Sequence, residues 1–169
     1  MAINIIVEDG TIVPGANSYI SIADTRIYAE NRGVPLPPDD DKVAAWLIRA
    51  CDYLQGLECR LMGRRSDPDQ ALSFPRKNLF VRGQKIAPDA IPQNLIDAQC
   101  QLVMISNSGI DLQPVMSPQD FVILRKVGPI ETQYADPTKV GLRAVFSAVE
   151  ALLNPLFGAC GAWIRTIRV

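Results

Sequence analysis

The chain has 169 residues, of which 48% are apolar, and a formal net charge of −1 with no histidine. This length and apolar content fit one domain with a core of ordinary size and exclude a disordered chain. The lack of histidine excludes Ser-His and Cys-His nucleophilic catalysis, because the usual general base is missing. No apolar run approaches the roughly 18 to 20 residues that cross a bilayer, and the start has no basic leader, so we expect a soluble cytoplasmic product without a membrane partner.

The first third of the chain predicts an extended arm followed by two helices. Residues 3–13 alternate loosely and break at glycine and proline, as a short strand or arm does. Ser21 with Asp24 three residues later is typical of a helix start, and Gly33 is typical of a helix end. The acidic residues 39–41 precede a second amphipathic helix, and we interpret them as its cap and first-turn acids, which is a better explanation than a metal site.

Residues 58–92 predict a long loop, because frequent glycine and proline interrupt any period. Four apolar residues, Phe74, Leu79, Phe80 and Val81, are expected to anchor it, so we interpret the loop as ordered and packed.

Positive charge is concentrated in this loop. Between residues 60 and 85 there are seven basic side chains against two acidic ones, Asp67 and Asp69. The basic residues are Arg60, Arg64, Arg65, Arg76, Lys77, Arg82 and Lys85. Three interpretations stay open: a solvated loop face, salt bridges to an acidic neighbour, and contact with DNA phosphates, because arginine suits carboxylates and phosphates alike.

The rest of the chain predicts a third helix, a β-hairpin and a fourth helix. Pro92 suits the first turn of the third helix, and Gly109 ends it. Residues 120–135 alternate around a Gly-Pro turn, as a hairpin does. An amphipathic helix follows over residues 142–154, and residues 158–169 form an alternating tail that is too short to fold alone.

Scattered cysteines favour neither a disulfide nor zinc, since Cys51, Cys59, Cys100 and Cys160 contain no CxxC pair. We expect no cofactor. Together the elements predict a mainly α fold: a small four-helix core with a β-hairpin, a long basic loop, and extended N- and C-terminal arms. We expect a helical domain over residues 1–157, with the loop 58–92 and the hairpin 120–135 inserted, and a C-terminal tail over residues 158–169.

Blocks spread along nearly the whole chain resemble one family. They are NSYISIAD at 17–24, ACDYL at 50–54, SFPR at 73–76, KVGPIE at 126–131, YADP at 134–137 and the closing residues 164–169. These blocks resemble the small head completion proteins of tailed bacteriophages, the head-tail adaptors, some of which are catalogued as DnaT-like single-stranded DNA-binding proteins. Phe74 stands where such sequences often have Trp, and it keeps the aromatic anchor.

The resemblance implies a virion structural protein and no enzyme. It implies a ring of about twelve copies beneath the portal, in which neighbouring copies make heterologous contacts. This ring would extend the channel for genomic DNA and support the next connector, stopper or tail protein, in the neck of the virion after assembly in the host cytoplasm. In related adaptors the C-terminal tail engages the portal, so the resemblance assigns portal binding to Trp163, Ile164, Arg165, Ile167, Arg168 and Val169. The seven basic residues would lie at a subunit interface or along the DNA channel.

An alternative function is single-stranded DNA binding, with the basic loop tracking phosphates and Phe74, Phe80 or Trp163 stacking on bases. Aromatic residues make up only 7% of the chain. The sequence pI of about 5.4 is also low for a general DNA-binding protein.

An enzyme, the third class, would need paired carboxylates from Asp52, Glu131 and Asp136. Their spacing suggests exposed positions on separate elements.

Overall fold

Four α-helices make up most of the regular structure in the described part of the chain. The structure is a computed structural model, and it describes residues 3–114, 124–127, 130–133 and 145–158. The helices are α1 (Ile22–Glu30), α2 (Asp40–Gln55), α3 (Gln93–Asn107) and α4 (Ser147–Leu153), and 3₁₀ turns cover Glu58–Arg60 and Asn154–Leu156. The fold is therefore mainly α with a small β content, as the sequence predicts.

Within those residues, three antiparallel ladders of two strands each accompany the helices. They pair β1 (Arg64–Arg65) with β2 (Arg76–Lys77), β3 (Phe80–Val81) with β4 (Gln84–Lys85), and β5 (Leu124–Val127) with β6 (Ile130–Gln133). The last ladder is the hairpin expected within residues 120–135. The first two lie in the segment expected to be a loop, and strands of two residues are too short to leave a period in the sequence.

The helices begin where side-chain oxygens can cap them. The Ser21 side chain accepts a hydrogen bond from the Asp24 amide, and the Asp39 side chain accepts one from the Asp41 amide. These bonds satisfy backbone donors of the first turn that have no partner within the helix. The predicted capping role of the acidic residues 39–41 is confirmed at Asp39. α1 ends at Glu30, three residues before the turn at Gly33 that the sequence suggested as its end.

Helix α3 lies at the centre, where it packs against α2 and α4. Its buried positions recur at helical spacing and include Leu95, Ala98, Leu102 and Val103. Among the described residues, no helix has both the length and the apolar character of a membrane-spanning segment.

One buried amide, Gln99 of α3, joins the N-terminal segment to two helices. Its side-chain nitrogen donates to the Leu47 carbonyl and to the Ser18 hydroxyl, each at 3.0 Å. Its side-chain oxygen accepts from the Tyr19 amide at 3.0 Å, and Gln99 has no exposed surface. The Tyr19 hydroxyl in turn accepts from the Phe74 amide at 3.1 Å, so this network reaches into the segment 58–92.

Several expectations from the sequence need correction. α4 begins at Ser147, not at residue 142, and Val145 before it is 66% exposed. Phe80 is not an anchor of the loop, because it is 52% exposed. Cys59 is disulfide-bonded, although the sequence favoured no disulfide, whereas Cys51 and Cys100 are buried free thiols. The tail beyond residue 158 lies outside the described residues, and so do all six side chains assigned to the portal.

The Gln99 network gives a first prediction. Replacing Gln99 with Leu leaves the Tyr19 amide and the Leu47 carbonyl without this partner, so we expect the free energy of unfolding to fall by about 1–3 kcal/mol. Urea unfolding followed by circular dichroism measures it. Gln101→Ala is the control on the same helix, where one long bond of 3.4 Å to Tyr28 is lost and a change within about 0.5 kcal/mol is expected. Equal effects of the two substitutions would contradict the role of Gln99.

Candidate nucleic-acid interface

The seven basic residues of the loop divide into two groups. Three of them, Arg60, Arg65 and Arg76, form ion pairs with carboxylates of this chain. The other four are exposed, and no carboxylate of the described residues forms a salt bridge with them: Arg64, Lys77, Arg82 and Lys85.

Strand pairing explains why adjacent basic residues fall into different groups. In the β1–β2 ladder, Arg65 lies opposite Arg76 and Arg64 lies opposite Lys77. Successive side chains of a strand point to opposite faces, so each like-charged pair occupies its own face. Arg65 and Arg76 are half-buried and buried, whereas Arg64 and Lys77 are both exposed.

On the inner face, Glu58 neutralises both arginines, and we call Glu58, Arg65 and Arg76 the Glu58 cluster. The Arg65 guanidinium donates to both carboxylate oxygens of Glu58 at 2.7 Å. Arg76 approaches the same carboxylate at 3.4 Å. The hydrogen bond from Arg65 is the main reason that the pKa of Glu58 lies below its ordinary value. A carboxylate between two like charges removes the repulsion that would otherwise oppose the ladder.

Arg76 is a structural residue, since it is 5% exposed and donates mostly to backbone carbonyls. Its acceptors include Met62 at 2.8 Å and Gly63 at 2.9 Å. Gly63 has a φ of +74°, and a Cβ there would lie 2.5 Å from the Lys77 carbonyl. This position requires glycine, because any side chain would push β1 away from β2.

Arg60 is also engaged within the fold. It donates to both oxygens of Glu150 at 2.7 Å, and its guanidinium lies 4.0 Å from the centre of the Phe157 ring. The Arg60 carbonyl accepts from the Gly158 amide at 2.7 Å. These contacts fasten α4 and the residues after it to the loop, so Arg60 is not available for docking.

On the outer face, three exposed cations line one surface depression, and we call Arg64, Lys77 and Lys85 the basic patch. The depression has a volume of about 180 Å³, and Asn78, Ile86 and Pro88 complete its lining. A second depression of about 350 Å³ shares Arg64 and Lys77. Nothing in the described part of the chain neutralises the repulsion between Arg64 and Lys77, so this surface is suited to an anion from outside.

The chain between the two ladders brings Lys85 to the patch. Leu79 is fully buried and anchors the link from β2 to β3, and its carbonyl accepts from the Ile86 amide at 2.9 Å. Arg82 and Gly83 form a two-residue turn with φ values of 51° and 79°. Such a turn suits an antiparallel hairpin, and it sets Phe80 opposite Lys85.

The three aromatic residues suggested for base stacking differ in whether a base could reach them. Phe74 is completely buried and cannot meet a base, so that suggestion is wrong. Phe80 is exposed and lies opposite Lys85 in β3–β4, and Trp163 lies outside the described residues.

Of the three carboxylates suggested for catalysis, only the side chain of Asp52 lies in the described part of the chain. Asp52 is exposed on α2, Glu131 lies in β6 without a described side chain, and Asp136 is outside the described range. Within the described part of the chain, no cluster of three metal-ligating side chains occurs. Burial raises the pKa of Cys51 to about 12 and that of Cys100 to about 12, so both thiols stay protonated at neutral pH.

The two glutamates that neutralise the arginines, Glu58 and Glu150, were not among the site residues predicted from the sequence. Glu58 lies just before the basic run, seven residues from its partner Arg65, and this closeness in sequence was an available signal. Glu150 is 90 residues from Arg60, and nothing local links the two. Asn78, which lines the patch with a φ of 58°, could have been recognised as a turn residue.

One comparison with known proteins finds a match. A family model described as "Putative DnaT-like ssDNA binding protein" matches residues 3–169. No curated protein and no solved structure matches this chain.

The Glu58 cluster gives a second prediction. Glu58→Gln removes the charge shared by Arg65 and Arg76, so we expect the free energy of unfolding at pH 7 to fall by about 1–3 kcal/mol. Urea unfolding measures the change. Asp69→Asn is the matched control, because it removes one negative charge from an exposed position of the same loop.

The pH dependence tests the cause of this effect. Because the pKa of folded Glu58 is lowered, its stabilising contribution is complete above the ordinary value of 4.5 and is lost as the pH falls through the lower folded value. The difference between the wild type and Glu58→Gln should therefore narrow below about pH 4.5. A difference that does not change with acid would show that charge is not the cause.

Proposed function

The chain belongs to the family of DnaT-like single-stranded DNA-binding proteins, whose model spans it, and we propose that it binds single-stranded DNA through the basic patch. In this proposal the patch holds the phosphates of the strand. The protein acts by binding alone, without turnover of a substrate.

The observation that carries this proposal is the opposition of Arg64 and Lys77 on the exposed face of β1–β2. The same ladder has a second like-charged pair, and there a carboxylate of the chain supplies the neutralising charge. A phosphate would neutralise the outer pair, Arg64 and Lys77, as Glu58 neutralises the inner pair. Arginine and lysine both bind phosphate, the first through its planar fork and the second as a point charge.

Charge also bounds the strength of binding. The whole chain carries a net charge of −1, and the patch offers three cations with Arg82 on the adjoining hairpin turn. Few phosphate contacts mean modest affinity, a strong dependence on salt and little dependence on sequence.

A second candidate function is the head-tail adaptor of a tailed bacteriophage, supported by the resemblance of sequence blocks along the chain. In this proposal the protein forms a ring in the virion neck after assembly in the host cytoplasm. Its partners would be the portal, neighbouring copies and the next connector or tail protein, with the helical domain 1–157 as the ring body and residues 158–169 as the portal-binding tail. The contacts of Arg60 with Gly158 and Glu150 give that tail a fixed point of departure.

The DNA-binding proposal predicts a loss of affinity on removal of the outer pair. For the double variant Arg64→Gln with Lys77→Gln, we expect affinity for a single-stranded oligonucleotide to fall about tenfold or more at low salt. The slope of log affinity against log salt should weaken by about 0.7 for each lost phosphate contact. Fluorescence anisotropy of a labelled oligo-dT over a salt series measures both.

The matched control is Arg32→Gln with Lys42→Gln, which removes the same charge from two exposed positions outside the loop. If both double variants lose affinity equally, binding depends on net charge and the patch is not the site. If the wild type binds no oligonucleotide at low salt, the DNA-binding proposal is wrong and the adaptor proposal remains.

The adaptor proposal predicts that deleting residues 163–169 leaves a folded, soluble subunit that no longer attaches to DNA-filled heads. The expected loss follows from removal of the apolar and basic side chains assigned to the portal. Circular dichroism checks folding, and sedimentation of heads mixed with the subunit measures attachment. Normal attachment of the shortened subunit would rule out the tail as the portal contact.

A further inference from the structure

We propose that Phe80 is a stacking platform for an unpaired nucleobase, and that together with the basic patch it makes the site selective for single-stranded over duplex DNA. This inference rests on the proposed function, because it concerns the same surface. The inference concerns the nucleobase, which phosphate contacts do not recognise.

The exposure of Phe80 is the first reason. Phe74, six residues earlier, is completely buried, whereas 52% of Phe80 remains in contact with solvent. Burying a phenylalanine side chain stabilises a fold, so an exposed one is available to a partner. In the described part of the chain, neither a ring nor a cation is stacked on Phe80.

The position of Phe80 beside a cation of the patch is the second reason. Phe80 and Lys85 are directly opposite each other in the β3–β4 ladder. Side chains of such a pair lie on the same face with their Cβ atoms about 4.5–5.5 Å apart. Lys85 also lines the depression that contains Arg64 and Lys77. Lys85 thus lies beside both Phe80 and the depression. The phosphate of a nucleotide whose base stacks on Phe80 would therefore be close to Lys85.

The hairpin turn next to Phe80 carries a further exposed cation. Arg82 has a φ of 51°, a conformation that costs energy for residues other than glycine and is accepted best by asparagine. Arginine at this position adds a fourth exposed cation to the three of the basic patch, on the same hairpin as Phe80 and Lys85.

Selectivity follows from what a base must do to reach the ring. Bases of a duplex are paired and stacked on one another, so their faces are closed to a surface aromatic. Bases of a single strand can stack on an aromatic side chain, and every base has such a face. Phosphates are present in both forms, so the patch alone cannot distinguish them.

The test compares three ligands of equal phosphate number: oligo-dT, a strand of abasic sites and a duplex. We expect the wild type to prefer oligo-dT, and Phe80→Ala to lose about tenfold in affinity for oligo-dT alone. Phe80→Trp should retain or increase the preference, because its larger ring also stacks. Ile27→Ala is the matched control, since Ile27 is 56% exposed on α1, outside the basic loop. Anisotropy titrations at one low salt concentration measure all affinities.

Each outcome bears on one proposal or on both. If the wild type binds oligo-dT and the abasic strand equally, or if Phe80→Ala keeps the preference, the platform is wrong and phosphate binding stands. If the wild type binds no strand, the proposed function fails and the platform fails with it. The abasic comparison needs no substitution, so the inference stays testable even if Phe80→Ala does not fold.

Discussion

The candidate surface depends on one contact, the carboxylate of Glu58 held by Arg65 and Arg76. These two arginines lie directly opposite each other in β1–β2 and would repel without a charge between them. Glu58 replaces that repulsion with attraction on both sides and fixes the pairing of the two strands. The same pairing places Arg64 and Lys77 together on the outer face. The interaction that closes the loop is therefore also the one that exposes the basic patch.

Two roles are thus divided among residues that look alike in sequence. Arginines that meet a carboxylate of the chain, as Arg60 and Arg65 do, stabilise the fold and leave no charge for a ligand. Cations on the outer face keep their charge and are free to exchange water for phosphate. Because these cations are few, the proposed anion site would be local, modest in affinity and salt-dependent on a chain with a net charge of −1. The proposed site would suit contact with DNA under either of the two proposed functions.

The helices could be predicted from the sequence, and the arrangement of the loop could not. Ser21 and Asp39 cap helices through bonds to amides two or three residues away, so the signal and its effect are both local. The hairpin β5–β6 follows from alternation around a turn in the same way. In the loop, by contrast, Phe74 and Phe80 are the same residue type six positions apart, yet one is buried and the other exposed. Tyr19 contacts the buried Phe74 from a distant part of the chain, through its hydroxyl and the edge of its ring, and Gln99 in turn accepts from the Tyr19 amide.

The sequence by itself determined the mainly α class, the starts of α1 and α2 and the concentration of positive charge between residues 60 and 85, because each of these depends on residue type and short spacing. Only the tertiary structure decided which of those charges are neutralised and which stay available. The physical reason is that an ion pair needs proximity in space, and the partner of Arg60 is 90 residues away along the chain. No local sequence pattern indicates a pairing over that separation, so the candidate site forms only when the chain has folded.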